Sequence, residues 1–157
     1  MQKPYYKKSD FTLYNADSLE LMKEFPENSV DMIFADPPYF LSSGSFTCQN
    51  GKMVSVKKGN WDLSNGTKKN FEFHLSWIKE CRRILKPNGT IWISGTYHNI
   101  FSVAQMLTEL DFRILNCITW AKTNPPPNLS CKFFTHSTEF ILWARKNKKI
   151  THYYNYE

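Results

Sequence analysis

The stretch that decides the fold is Val30-Asp31-Met32-Ile33-Phe34-Ala35-Asp36-Pro37-Pro38-Tyr39. Its first six residues form a near-continuous apolar run, which is typical of a strand buried on both faces. A carboxylate, two prolines and an aromatic ring follow at the carboxyl end of this strand. Prolines fix the backbone and donate no hydrogen bond, so the sequence predicts a rigid, concave pocket here. Such a pocket suits a planar base that carries an exocyclic amine.

Strands and helices alternate along the rest of the chain. The other predicted strands span residues 11–15, 90–94, 112–122 and 138–144. The predicted helices run from Asp17 or Ser18 to Pro26, from 71 to 85 and from 97 to 110. Residues 86–89 predict a turn. The alternation predicts an α/β domain with a mainly parallel sheet, in which ligands bind beyond the carboxyl ends of the strands. Three tryptophans on predicted strands are expected in the core: Trp92, Trp120 and Trp143.

The composition is that of one globular domain with a basic surface. The 157 residues are 41% apolar, and 20 Lys and Arg against 14 Asp and Glu give a net charge of +6. This charge favours a polyanionic partner, although a merely solvated basic surface remains an alternative. We expect a cytoplasmic protein, since there is no apolar signal core and no apolar stretch of about 18 residues that could span a membrane.

The four cysteines and four histidines predict no metal site. The cysteines, at 48, 81, 117 and 131, form no Cys-x-x-Cys pair and have no histidine at the spacing of a zinc site. We expect them to be reduced and mostly buried.

Residues 40–70 are rich in Ser, Asn, Gly and Lys and show no sustained period. A long loop directly after the predicted pocket is a candidate for contact with the substrate. Its lysines could neutralise phosphates of DNA, or could simply be solvated: Lys52, Lys57, Lys58, Lys68 and Lys69. A second irregular segment contains Asn124, three prolines and Asn128, and both asparagines are predicted to read or support DNA.

Asp36-Pro37-Pro38-Tyr39 resembles the catalytic motif of the N6-adenine DNA methyltransferases. Asn15-Ala16-Asp17 resembles their segment that contacts the adenosyl part of S-adenosylmethionine, although Asp17 could equally be a helix cap. The resemblance continues through residues 86–93, 119–125 and 138–144. The order of motifs is that of the circularly permuted β class. Three further segments resemble the second adenine methylases of Dpn-type GATC restriction systems: residues 59–62, 136–139 and 152–156. The likeness covers nearly all of this chain but only about the first half of such a protein.

This resemblance implies a Rossmann-like methyltransferase sheet with flanking helices, circularly permuted. It implies transfer of a methyl group from S-adenosylmethionine to adenine N6 in DNA, within a restriction-modification system. Asp36 and the Pro37 carbonyl, fixed by Pro38, would accept the amine hydrogens, and Tyr39 would stack on a flipped or single-stranded base. Asp at the first position favours adenine over cytosine. The cofactor would contact Asn15, Ala16, Asp17 and Asp36.

The chain departs from this family at the glycines. Phe-x-Gly-x-Gly, whose glycines let the backbone approach the cofactor, does not occur. Residues 1–157 are therefore expected to form the N-terminal portion of a catalytic domain whose sheet is incomplete. We expect weak or absent cofactor binding by this chain alone and, because of exposed sheet edges and apolar surface, self-association or poor solubility. Three explanations stay open: a fragment, one half of a split enzyme completed by a second polypeptide, or a silent nucleic-acid-binding remnant.

Overall fold

The structure, a computed structural model, describes residues 2–157. Within them the strands are β1 (Tyr6–Lys8), β2 (Phe11–Leu13), β3 (Val30–Ala35), β4 (Phe46–Gln49), β5 (Lys52–Ser55), β6 (Leu85–Gly95), β7 (Arg113–Ala121) and β8 (Thr138–Arg145). The α-helices are α1 (Ser18–Lys23), α2 (Thr67–Ile84) and α3 (Ile100–Glu109). A short 3-10 turn covers Asn60–Asp62. No helix in this part of the chain has both the length and the apolar character needed to cross a membrane.

The central sheet has four strands in the order β3-β6-β8-β7. β3 and β6 run parallel, whereas β8 is antiparallel to both of its neighbours. Three of the four strands, β3, β6 and β7, therefore point the same way as expected, and β8 makes the sheet a mixed one. Residues 122–137 connect β7 to β8 without a crossover helix, and β8 returns antiparallel between β6 and β7. The predicted α/β class, a sheet with flanking helices, is confirmed.

The core lies between one face of this sheet and the three helices. From the sheet it takes Ile91 and Ile93 of β6 and Leu142 of β8, and from α3 it takes Val103 and several neighbours. Helix α1 adds Leu19 and Met22 beside α2. These apolar side chains recur at helical spacing on α2 and α3, and that period places them on the buried face.

The opposite face of the sheet is largely open. Met32 and Phe34 of β3 are 56% and 60% exposed, so this strand is not buried on both faces as the sequence indicated. β3 lies at the edge of the sheet, and only alternate residues point towards the helices. Trp92 and Trp143 stack on the open face with ring centroids 4.7 Å apart and are half-buried. Trp120 is 52% exposed, so its prediction as a core residue was wrong.

Residues 40–70 are more regular than predicted. β4 and β5 form a hairpin around Asn50 and Gly51, whose backbones have positive φ angles of 50° and 74°. Asn-Gly is the usual pair for such a turn, since both central residues need positive φ. α2 also begins at Thr67 rather than at Phe71. A hydrogen-bonded hairpin and a short turn thus replace the expected structureless loop.

Three smaller predictions need correction. The predicted turn at 86–89 lies inside β6, where the register shifts between the Val30–Leu85 and Met32–Thr90 pairs. The predicted strand at residues 11–15 pairs only with β1 and does not join the central sheet. Of the four cysteines only Cys81 is buried, while Cys117 and Cys131 are exposed.

Candidate active site

Asp36 follows the last residue of β3, at the carboxyl end of the parallel pair β3–β6. Ser94, a buried residue of β6, donates a hydrogen bond from Oγ to Asp36 Oδ1 over 2.6 Å. The Tyr39 hydroxyl donates to the same oxygen over 2.7 Å and lies 3.2 Å from Ser94 Oγ. The Asp36 side chain itself is exposed. The structure thus joins two predicted residues, Asp36 and Tyr39, through a third that the sequence did not single out.

Tyr39 is held in its neutral form. Burial raises the pKa of its hydroxyl well above the usual range, and the hydrogen bond and charge of Asp36 raise it further, while the Ser94 hydrogen bond acts in the opposite direction. A protonated hydroxyl can keep donating to Asp36 at any physiological pH. The Lys58 ammonium lies 5.3 Å from the centroid of the Tyr39 ring, which is the range of a cation–π contact.

The segment after Tyr39 is anchored to α2 and to the 3-10 turn. Phe40 has a φ of 58°, which is uncommon for a residue with a side chain, and its ring contacts those of Phe73 and His74 on α2. Two residues later, the backbone N–H and the Oγ of Ser42 both donate to Oδ2 of Asp62. Asp62 is completely buried. These contacts fix the loop that presents Tyr39.

A cleft of about 700 Å³ adjoins this network. Leu41, two residues after Tyr39, and Thr96, two residues after Ser94, both line it. Its other walls come from the β4–β5 hairpin, from Tyr97 and His98, from residues 124–130 and from the start of β8. Aromatic and proline side chains form part of this lining, among them Phe46, Tyr97, Phe133 and residues 125–127, and they are suitable for contact with a flat ring. No three His, Cys, Asp or Glu side chains cluster as metal ligands within residues 2–157.

Ring stacking and an ion pair order one side of the cleft. The Tyr97 ring stacks on His136 at 4.2 Å and contacts His98 at 3.8 Å. Burial and the charge of His136 lower the pKa of His98, which favours its neutral form. Lys122 pairs with Glu139 over 2.9 Å and lies 3.9 Å from the centroid of the Trp120 ring.

The predicted DNA-binding residues differ in whether their side chains make hydrogen bonds within the protein. Lys52, Lys57 and Lys58 are exposed on or just after the β4–β5 hairpin, and Lys68 and Lys69 are exposed in the first turn of α2. Asn124 lines the cleft, and its side chain has no hydrogen bond to another described residue. The Asn128 side chain instead orders its own loop, because it donates to the Phe133 carbonyl and accepts from Ser130.

The predicted cofactor segment makes none of the described hydrogen bonds of this network. Asn15, Ala16 and Asp17 are exposed between β2 and α1. Asp17 caps α1, since its Oδ1 accepts from the N–H groups of Leu19 and Glu20 at 2.8 and 3.2 Å. Among residues 2–157 no hydrogen bond or ring contact joins these three residues to Asp36.

Sequence reasoning missed Ser94 and Asp62 as site residues. Ser94 was predicted only as the end of a strand. A small polar residue at the carboxyl end of a buried strand nevertheless indicates a possible site residue. Asp62 lies in a segment that was expected to have no regular structure. The signal for Asp62 is weak, since one carboxylate among Ser, Asn, Gly and Lys residues gives no indication of burial.

Three curated relatives, all named type II methyltransferases, match the chain along its length. It is 57% identical to M2.LlaDCHI of Lactococcus lactis subsp. cremoris and 54% identical to M2.DpnII of Streptococcus pneumoniae, in each case over 100% of the chain. It is 53% identical to M2.MboI of Moraxella bovis over 99% of the chain. The matched region is 58–59% of each relative, so the chain spans less than two thirds of their length.

Solved structures agree with the fold. The crystal structure of the M1.HpyAVI–SAM complex matches 86% of this chain and 54% of its own, with a TM-score of 0.57 and 28% identity. The cytosine-N4-specific PvuII DNA methyltransferase matches 93% of this chain and 52% of its own, with a TM-score of 0.70. Its 22% identity supports the fold alone. A family model described as DNA methylase matches residues 30–157, and together with the relatives it shows that the chain belongs to the N6/N4 DNA methylase family.

Proposed function

We propose that this chain forms the target-base side of an adenine-specific DNA methyltransferase of a restriction-modification system. The reaction moves a methyl group from S-adenosylmethionine to N6 of adenine, and GATC is the sequence to test first. The observation that carries the proposal is the Asp36 carboxylate, held through Oδ1 by Ser94 and Tyr39 at the carboxyl end of a parallel strand pair. The names of the relatives, all type II methyltransferases, support the same reaction class.

Asp36 and Pro37 act on the amine of the base. Its nitrogen lone pair is delocalised into the ring and is a weak nucleophile until the two N–H groups are held by acceptors. Asp36 Oδ2 and the Pro37 carbonyl accept these hydrogens and direct the lone pair towards the methyl group. Prolines at 37 and 38 fix the direction of that carbonyl. Tyr39 stacks on the base, which must leave the duplex to reach this depth.

The exposed lysines supply the attraction for DNA. Lys52, Lys57 and Lys58 extend from the hairpin beside the cleft, and Lys68 and Lys69 begin α2. The net charge of +6 adds a general attraction for phosphates. Asn124 lies in the cleft wall, its side chain makes no hydrogen bond to another described residue, and it is proposed to contact DNA directly, while Asn128 supports the loop. A chromosomal substrate places the protein in the cytoplasm.

The residues present do not provide a complete cradle for S-adenosylmethionine. None of the six glycines lies in a Phe-x-Gly-x-Gly sequence. Gly89 and Gly95 pack against protein atoms, and the space beside Gly44, Gly51 and Gly66 is open. Asp17 already caps α1. The methyl donor therefore requires a further segment, in the same chain or in a second polypeptide, and we propose that Asn15–Asp17 and Asp36 form only one wall of its site.

The open edge of β3 favours a completed enzyme over a silent remnant. β3 has one neighbour in the sheet, and Met32 and Phe34 expose their side chains on the open face. A further strand and helix would cover this surface and would end beside Asp36. A second copy of the chain is the alternative occupant. A silent DNA-binding module would need no such cover.

The test is methyl transfer with labelled S-adenosylmethionine to unmethylated DNA. Single- and double-stranded substrates with and without GATC are compared, with the chain alone and with the C-terminal segment of M2.LlaDCHI added in trans. We expect Asp36→Ala to lower kcat by about 100-fold or more, because a charged acceptor at the reacting amine is lost. Asp10→Asn, at an exposed surface acid, is the matched control.

Each outcome has a definite meaning. Transfer that depends on Asp36 supports the proposal, whether or not the added segment is needed. Equal transfer by Asp36→Ala contradicts the assigned role. DNA binding without transfer in either setting identifies a silent module.

A further inference from the structure

The Asp36 side chain needs an external restraint to act on a substrate. It is exposed and follows the last residue of β3, so its own backbone does not fix the direction of its two oxygens. Within the described residues Oδ1 receives two hydrogen bonds, from Ser94 and from Tyr39, and Oδ2 receives none. The carboxylate thus has one restrained oxygen and one that is free to accept.

Ser94 is well placed to supply that restraint. Ala35 pairs with Ile93 in the parallel ladder, so Ser94 lies one residue further along β6, directly beside Asp36. Its Oγ–Oδ1 distance of 2.6 Å is that of a strong hydrogen bond to a charged acceptor. Ser94 is 9% exposed, so water hardly competes with it.

The backbone next to Ser94 is also fixed by packing. An added Cβ on Gly95 would lie 2.8 Å from Asn99 Oδ1 and 2.9 Å from Ile100 Cδ1. The end of β6 therefore sits tightly against the start of α3. Asn99 accepts a hydrogen bond from the Thr96 N–H as well, which closes the turn after Gly95. The donor of the hydrogen bond therefore lies on a tightly packed part of the backbone.

We propose that Ser94 is a positioning residue, which binds Oδ1 of Asp36 and thereby directs Oδ2 towards the amine of the target base. The inference rests on the proposed function for its substrate, whereas the restraint itself is a property of the free chain. Ser94 touches no substrate atom and acts through Asp36. Tyr39 is the second donor to the same oxygen, so its hydroxyl is coupled to that of Ser94.

The first measurement needs no activity. Three-bond coupling constants of isotopically labelled protein report the χ1 angle of Asp36. We expect one rotamer in the wild-type chain, averaged couplings in Ser94→Ala, and restored couplings in Ser94→Thr, which keeps the hydroxyl on a side chain suited to a strand. Ser102→Ala, at an exposed serine of α3, is the matched control. Thermal unfolding of each variant checks that it folds.

The second measurement is the kinetics of methyl transfer under the conditions that support turnover. We expect Ser94→Ala to lower kcat by about 10- to 100-fold while KM for DNA stays within about twofold, because geometry at the amine is lost and DNA contacts are kept. In a double-mutant cycle with Tyr39→Phe, the combined loss of kcat should be smaller than the product of the two single losses, since both hydroxyls bind one oxygen.

The Asp36 couplings and the transfer kinetics test the role of Ser94 and the proposed function separately. Unchanged Asp36 couplings in Ser94→Ala, or averaged couplings in the wild-type chain, would overturn the positioning role. An equal loss in Ser94→Ala and Ser94→Thr, with intact folding, would do so too. Absence of transfer by the wild-type chain with the added segment would count against the proposed function, while the couplings would still decide whether Ser94 holds Asp36.

Discussion

A single buried histidine makes the stability of this fold sensitive to acid. His74 is 2% exposed and is surrounded by the rings of Phe40, Phe73 and Trp77. The Trp77 Nε1–H donates to its Nδ1 over 3.1 Å, which requires an unprotonated nitrogen. Burial lowers the pKa of His74 to about 4. The unfolded chain has the ordinary value of about 6.5 and therefore binds a proton earlier as the pH falls.

Stability should consequently rise with pH between about 4 and 6.5, because the unfolded state binds more protons there. Between pH 7 and pH 5 the loss is about 2 kcal/mol. His74→Gln keeps an acceptor for Trp77 and has no charge to lose, so we expect this component of the pH dependence to disappear. Urea unfolding at the two pH values measures it. His136→Gln, at an exposed ring, should keep most of the difference, since it removes only the charge that lowers the pKa of His98.

The contacts of Asp36 also show which part of the site could be predicted from the sequence. Asp36 and Tyr39 stand in one tetrapeptide, and their hydrogen bond is a local contact across three residues. Ser94 is 58 residues from Asp36, and its contact depends on the register of two strands that are separated by a hairpin and a long helix. No local pattern encodes that register, so Ser94 was found only in the structure.

At the scale of elements, Asp62 joins the segment after residues 36–39 to the turn before α2. Its Oδ2 accepts two hydrogen bonds from Ser42, and the Ser42 Oγ accepts one from the Lys58 N–H. Oδ1 of Asp62 is buried and has no partner among the described residues. The hydrogen-bonded pair of Ser42 and Asp62 therefore connects three separate parts of residues 40–62.

Asp62→Ala should release this connection. We expect faster hydrogen exchange at residues 40–44 and 56–62, because the acceptor for Ser42 is lost. The free energy of unfolding should fall by about 1–3 kcal/mol, the usual cost of unpaired buried donors. Asp31→Ala, which removes an exposed ion pair with Lys86, is a control for the loss of charge. Unchanged exchange in Asp62→Ala would show that other contacts hold the loop, such as the rings around Phe40 and the hydrogen bond from the Ser64 N–H to Ser43 Oγ.

Helices and strands were predicted well where an apolar period runs over many residues. They were predicted poorly where turn residues define the structure. The apolar period of α2 and α3 predicted both helices, and their ends differed by only a few residues. The β4–β5 hairpin carries few apolar residues and is defined by its Asn50-Gly51 turn. That pair is present in the sequence, but a pattern of apolar periodicity does not reveal it.

At the scale of the whole molecule, the open face of the sheet should govern self-association. Met32, Phe34 and Trp120 expose large apolar side chains on this face, and β3 adds an edge that no other strand of residues 2–157 pairs with. We expect the isolated chain to associate at tens of micromolar and Phe34→Glu to shift it towards the monomer. Light scattering or sedimentation measures this. Phe101→Glu, at a 69% exposed ring on α3, should not change it. A monomeric wild-type chain would contradict the prediction.

The order of the strands could not have been derived from the chain alone. The sequence predicts the four strands of the central sheet, but β8 could pair beside β7 alone or insert between β6 and β7. Insertion buries Leu142 and Ala144 against the helices, and it also stacks Trp143 on Trp92. The position of β8 depends on packing among several elements, so no single segment of the sequence predicts it.

This strand order has a consequence for how the protein folds. Every pairing in the central sheet closes a long stretch of chain: β3 meets β6 across the hairpin and α2, β6 meets β8 across α3 and β7, and β7 meets β8 across residues 122–137. Loop closure has an entropic cost before any ladder bond forms, so folding should be slow for a chain of this length. During synthesis β3 leaves the ribosome about fifty residues ahead of its partner β6, so its apolar side chains have no strand to pair with in this interval.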